Sequence, residues 1–242
     1  MYSSAMINYQ TLVINVKSNL RRRQKVASHL EQKNISFIFV PAVEPFTTIS
    51  VANDYLTDTA KAVWLSHLKC LKASVSNSKP TLILEDDVLL RIDATSIKTL
   101  SDAITKFEID FIQIGYLKIN LADRVSILLR NFYGFFTRHA LAANVFGLFG
   151  FKEVSRAKDQ VWRNSLPKDF IVNDVRYGAH CYLVSPSFAG KMITLNDPPF
   201  LAADDFYVAL SRMKSFKMIR LKKSQCSQDG SKSSFNKRFL LG

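Results

Sequence analysis

Three consecutive carboxylates, Glu85, Asp86 and Asp87, follow the apolar run Leu82-Ile83-Leu84. Neighbouring like charges repel, and a carboxylate at the end of a buried strand loses hydration, so the triplet calls for a positive partner. A divalent cation meets that need. Carboxylate oxygens suit Mg²⁺ or Mn²⁺, and these ions in turn hold phosphate oxygens, which points to a substrate carrying a diphosphate. The alternative is a solvated, inert acidic turn after a strand. A second acidic pair, Asp204-Asp205, lies much later in the chain, directly before a basic segment.

These groups need elements to position them. Residues 11–16 read as a buried first strand, and Ser18 can cap a helix over about 19–33 with Leu20, Val26, Ala27 and Leu30 on its apolar face. Phe37–Val40 supplies a second strand, so the opening resembles the nucleotide-binding half of an α/β fold, with a ligand expected at the carboxyl ends of the strands. Arg21, Arg22 and Arg23 fall close to the first such end, either as a solvated face or reaching a diphosphate. Residues 57–76 look helical, capped by Thr57, with Leu65, Leu68, Leu71 and Val75 inside; Ser66 and His67 ride on this helix. A helix at about 94–106 leads to a strand over 110–115. Residues 178–184 form a later strand, followed by a helix that Ser185 caps, with Phe188, Ala189, Met192, Ile193 and Leu195 inside. Residues 121–151 are rich in aromatics with Arg124, Arg130 and Arg138 among them, and read as core, acceptor groove or lipid contact.

With 242 residues, 48% of them hydrophobic, the chain can build one sizeable core. No apolar run reaches the length of a membrane span, and the N-terminus shows no secretory pattern, so a cytoplasmic protein is expected. Cys70, Cys181 and Cys226 are widely spaced and suggest neither a disulfide framework nor a zinc site. The net charge of +13 is uneven: residues 206–242 hold nine Lys or Arg against Asp229, +8 of the total, leaving +5 for the rest. Phe206, Tyr207, Val208, Leu210, Phe216, Met218, Ile219 and Leu221, interleaved with Arg212, Lys217, Arg220 and Lys222, suit an anionic membrane surface, or else a helix and strand that finish the core. Nucleic acid is not expected, because no recognition motif accompanies the charge. The expected division is a domain over 1–223 and a basic tail over 224–242.

Several ordered segments together resemble glycosyltransferase family 25, which includes lipooligosaccharide and lipopolysaccharide galactosyl- and glucosyltransferases. Val13-Ile14-Asn15-Val16 with Arg22 and Arg23 is similar to the family's first strand and Arg-Arg helix. Leu65-Ser66-His67-Leu68 is similar to its Ser-His helix, and Glu85-Asp86-Asp87 to the acidic motif that holds a nucleotide-diphosphate sugar. Gly178-Ala179-His180-Cys181-Tyr182-Leu183-Val184-Ser185 resembles a later family segment, and Asp204 or Asp205 the acidic residue after the following helix. One departure stands out: Ala60-Lys61-Ala62-Val63 replaces the usual Glu-x-Gly-Cys.

The resemblance implies a GT-A-like single α/β domain with a mixed twisted sheet, and inversion at the anomeric carbon. It implies a donor site of Asn15, Arg22, Arg23, Glu85, Asp86, Asp87 and His180, with Mn²⁺ or Mg²⁺ held by Asp87 together with Glu85 or Asp86, and His180 completing the shell or packing in its strand. Inversion needs a general base on the acceptor side. Asp204 and Asp205 are the candidates, with a helix N-terminal acidic pair as the alternative and Asp174 as a weaker choice. The expected donor is a UDP-sugar, galactose ahead of glucose. The expected acceptor is a lipid-linked lipooligosaccharide, lipopolysaccharide or other surface glycan at the cytoplasmic face of a Gram-negative inner membrane. A metal-dependent phosphoester hydrolase and an inactive transferase-fold binding module are the rival readings.

Overall fold

The computed structural model describes residues 8–45, 56–117, 156–199, 201–213 and 215–229; the aromatic segment 121–151 lies outside them. Strand β1 (Gln10–Asn15) leads into helix α1 (Leu20–Gln32), β2 (Ile38–Pro41), α2 (Asp58–Asn77) and β3 (Thr81–Glu85). A short strand β4 (Val88–Leu90) follows the acidic turn, then α3 (Ala94–Lys106) and β5 (Phe111–Gln113). The second half adds α4 (Arg156–Ser165), β6 (Phe170–Val172), β7 (Cys181–Val184), α5 (Pro186–Leu195), α6 (Ala203–Met213), β8 (Met218–Leu221) and β9 (Cys226–Gln228).

Among the described residues, seven strands make a mixed sheet in the order β2-β1-β3-β7-β5-β8-β6, and β4 pairs with β9 in a separate two-stranded ribbon. The parallel pairs are β1–β2, β1–β3 and β5–β8, while β7 runs antiparallel to both β3 and β5. Leu82, Ile83 and Leu84 are fully buried, as the unbroken apolar run requires of a strand covered on both faces. Alternation splits them between two cores. Ile83 joins Leu12, Ile14, Trp64, Phe111, Tyr182 and Phe206 on one face, and Leu82 and Leu84 join Val13, Val26, Leu30 and Ile97 on the other. The expected mixed α/β sheet flanked by helices is the observed architecture.

Local chemistry sets the helix starts. Thr57 caps α2 by accepting from the Ala60 amide (3.2 Å), and Ser185 caps α5 through the Phe188 amide (3.1 Å). Helix α1 starts one residue later than expected, because Asn19 rather than Ser18 accepts from the Arg22 amide. Leu20 then lies outside the core, and only Val26 and Leu30 of the expected face are buried. The inner stripe of α2 is also turned: Trp64, His67, Leu68, Cys70 and Leu71 are buried, whereas Val75 is exposed. Contacts with both the sheet and α5 set this rotation, which an apolar count cannot see.

The basic C-terminal region decides between the two readings open for its apolar residues and moves the boundary of its tail. Phe206, Tyr207, Val208, Leu210, Phe216, Met218, Ile219 and Leu221 are all buried, so this apolar set completes the core and presents no face to a lipid surface. Part of its charge is structural as well, since buried Arg220 pairs with Asp174 and Lys217 with Glu108. Residues 224–229, expected to open a tail, belong to the fold: Cys226 opposes Leu90, and the Asp229 amide donates to the Asp87 carbonyl (2.8 Å). The remaining tail, 230–242, lies outside the described residues.

Candidate active site

Four strand ends meet at one edge of the sheet. Strand β1 ends at Asn15 and β3 at Glu85, and antiparallel β7 begins beside them just after His180. The Glu85 amide donates to the His180 carbonyl (3.0 Å), and the Gly115 amide beyond β5 donates to the Cys181 carbonyl (3.0 Å). This is where open α/β sheets offer a ligand crevice.

The acidic triplet is held from the first half of the chain. Buried Asn15 donates from Nδ2 to Asp86 Oδ2 (2.7 Å), and Arg22 Nη1 donates to Asp86 Oδ1 (3.2 Å). The same guanidinium lies 3.7 Å from Asp87 Oδ2. Arg23 acts one step further back. It donates to Asn15 Oδ1 (3.4 Å) and lies over the Phe39 ring at 3.8 Å, so it orients the amide that holds Asp86. Burial and then the Glu85 charge push the Asp87 carboxyl up to about 6, against the opposing pull of Arg22 and His180. Its Oδ1 is buried and, among the described residues, has no hydrogen-bond partner. A carboxylate oxygen that is buried, orphaned and proton-hungry is one that gains from a cation.

Glu85 faces a different environment. Burial alone would raise its carboxyl, but the His67 ring, His180 and Arg22 outweigh it and hold Glu85 below the ordinary carboxylate range. His67 Nε2 lies 3.6 Å from Glu85 Oε1, and its Nδ1 is 2.7 Å from the Tyr182 hydroxyl. Tyr207 continues the line, its hydroxyl 3.2 Å from that of Tyr182. Ser66, the neighbour of His67, has a structural role: it accepts from the Val43 amide (2.8 Å) and donates to the Ala62 carbonyl (2.7 Å).

Asp204 reaches this edge from the first turn of α6. It accepts from the Ala179 amide, and burial followed by the charge of Glu85 raises its carboxyl above the ordinary range. Asp205 sits beside it in the first turn and adds to that shift. Asp174 belongs elsewhere, clamped by Arg220 through Nε (2.9 Å) and Nη2, which removes it as a base candidate.

His180 is packed between two glycines. An added Cβ on Gly178, whose φ is +111°, would lie 2.6 Å from the ring, and one on Gly115 would lie 3.1 Å from Nε2 and 1.9 Å from Cys226 Sγ. Burial disfavours the His180 charge, but hydrogen bonding and the charge of Cys226, with Glu85 and Asp204 beyond, raise its pKa. The Cys226 thiol falls to about 5 through Cys181 and His180 despite burial, while Cys181 is pushed up. His180 therefore engages Cys226, and Glu85, Asp87 and His180 do not form a ready ligand set. Among the described residues, no group of three or more His, Cys, Asp or Glu is arranged to hold a metal ion. Two carboxylates still fit a hard cation that keeps waters and takes its remaining ligands from a diphosphate.

Tyr182, Tyr207 and Cys226 escape a sequence reading, since each looks like core or tail; only the Gly-Ala-His-Cys-Tyr run hints at Tyr182. The acidic cluster, with Asn15 and Arg22 of the first strand and helix bonded to Asp86, lies at the carboxyl ends of β1 and β3, where open α/β sheets bind ligands. The family model for glycosyltransferase family 25 (LPS biosynthesis protein) matches residues 8–207, and the chain belongs to that family. Membership makes it a glycosyltransferase of lipopolysaccharide biosynthesis. No individually curated protein matches it significantly.

Proposed function

We propose that the protein is an inverting, metal-dependent hexosyltransferase that moves galactose, in preference to glucose, from a UDP-sugar to a lipooligosaccharide, lipopolysaccharide or related surface-glycan acceptor. The observation that carries the reading is the orphaned Asp87 Oδ1 beside an Asp86 held by Asn15 and Arg22. Asp87, with Glu85 or Asp86, would hold Mn²⁺ or Mg²⁺, which when bound neutralises the diphosphate and the charge that develops on it. Arg22 lies 38% exposed beside these carboxylates and supplies fixed positive charge toward the same phosphates. Asp204 takes the proton from the acceptor hydroxyl as that oxygen bonds to the anomeric carbon and the UDP oxygen leaves; its raised carboxyl suits a base. Asp205 binds a sugar hydroxyl or shares the proton.

No helix among the described residues is long and apolar enough to cross a membrane. Peripheral work at the cytoplasmic face of the inner membrane fits a lipid-linked acceptor, with basic charge rather than an apolar α6 face as the attraction. A UDP-release screen with Mn²⁺, run on wild type, Asp87→Ala and Asp204→Ala, tests the reading. Turnover of a UDP-hexose that needs acceptor and is lost in both variants supports it. Phosphate release without acceptor would mark a hydrolase instead, and no turnover of any nucleotide sugar with any glycan acceptor would sink the enzyme reading.

A further inference from the structure

We propose that Tyr207, Tyr182 and His67 form a buried relay that fixes His67 as the Nε2–H tautomer, so that His67 is a positioning residue donating to Glu85 at the donor site. This rests on the donor-site reading above. All three relay side chains are essentially inaccessible, at 1% exposure or less. His67 Nδ1 and the Tyr182 hydroxyl are 2.7 Å apart, and the Tyr182 and Tyr207 hydroxyls 3.2 Å. Each hydroxyl has one proton to give. If Tyr207 donates to Tyr182, the Tyr182 proton goes to His67 Nδ1, which must then be bare, leaving the ring proton on Nε2. That proton faces Glu85 Oε1 across 3.6 Å. The opposite tautomer would aim a lone pair from buried Nε2 at a carboxylate and leave the Tyr182 proton to compete for Tyr207. Among the described residues Nε2 makes no hydrogen bond at normal distance, and Glu85 Oε1, 3.6 Å away, is the acceptor it faces. Stacking of the His67 and Tyr182 rings (5.6 Å, 28°) and of Tyr182 on Phe111 (5.1 Å) holds the line rigid.

The relay gives Glu85 a direction. Partners behind a ligand-binding group typically change affinity or activity by about 10- to 100-fold when removed. ¹⁵N-histidine NMR on the full chain reads the tautomer without any substrate, the His67 signal being assigned by its loss in His67→Gln. The expected state is protonated Nε2 with bare Nδ1; a protonated Nδ1, alone or together with Nε2, overturns the relay. Calorimetric titration with UDP and Mn²⁺ reads the consequence. His67→Leu should weaken UDP binding by about tenfold or more, and Tyr182→Phe should weaken it in the same direction. His67→Gln, whose amide can donate to Glu85 and accept from Tyr182, should restore most of the affinity at equal thermal stability. Failure of Gln to exceed Leu overturns the positioning role. Wild type that binds no UDP overturns the donor-site reading and the positioning role together, whereas normal UDP binding with the wrong tautomer overturns the relay alone.

Discussion

Asn15 and Asp86, 71 residues apart in sequence, share a buried 2.7 Å hydrogen bond that locks the end of β1 to the acidic turn after β3. The amide also receives Arg23 on its oxygen, so one side chain links the Arg-bearing helix to the carboxylate cluster. Replacing Asn15 by Ala should leave Asp86 short of a donor at a nearly inaccessible site and cost about 1–3 kcal/mol. Urea denaturation checks this; a midpoint equal to wild type would mean that Arg22 alone satisfies Asp86.

Asp87 links stability to pH. Its carboxyl titrates at about 6 in the folded protein against 3.8 ordinarily, so the folded state binds the proton more tightly than the unfolded one. Stability from this group is therefore full below about 4 and is lost as pH rises through about 6, a loss on the order of 2–3 kcal/mol. Asp87→Asn should melt higher than wild type at pH 7.5 without metal, and the difference should vanish at pH 4. UDP binding with Mn²⁺ should strengthen as pH rises through about 6 in wild type and be lost in the variant.

Asp204 and Asp205 are separable by kinetics. If Asp204 is the base, Asp204→Asn should lower kcat by about a hundredfold or more with little change in the donor KM. Asp205→Asn should chiefly raise the acceptor KM. The reverse pattern would exchange their roles.

Gly115 leaves room for the Cys226 sulfur. Gly115→Ala would put a methyl 1.9 Å from that atom, and the strain should cost about 1–3 kcal/mol unless β9 shifts. The double variant Gly115→Ala with Cys226→Ala should recover most of the lost thermal stability, which a scanning-calorimetry comparison would show.

Asp229 ties the strand β9 to the acidic turn, its amide bonding to the Asp87 carbonyl and its carboxylate pairing with Lys25. Truncation after residue 229 should keep the fold and UDP affinity. Truncation after residue 223 removes β9 from β4, and should lower the melting temperature and weaken UDP binding. Equal melting of the two truncations would deny β9 its supporting role.

The strand-helix alternation, the caps at Thr57 and Ser185, the acidic triplet at a strand end and the family are all legible in the residue order, because they depend on near neighbours or on ordered motifs. Asn15 and Arg22 are legible too as residues beside the first strand end, where the fold joins them to Asp86. Which side of each residue is used comes from packing instead. The antiparallel insertion of β7 brings His180 and Tyr182 to the edge reached by β1 and β3, and no local pattern specifies that pairing. The same packing buries the apolar residues of α6 and β8, which an amphipathic count assigns equally well to a membrane face. It turns His67 toward Glu85 and Tyr182, and sets Cys226 against His180, because long-range strand order and helix rotation depend on contacts between segments far apart in the chain.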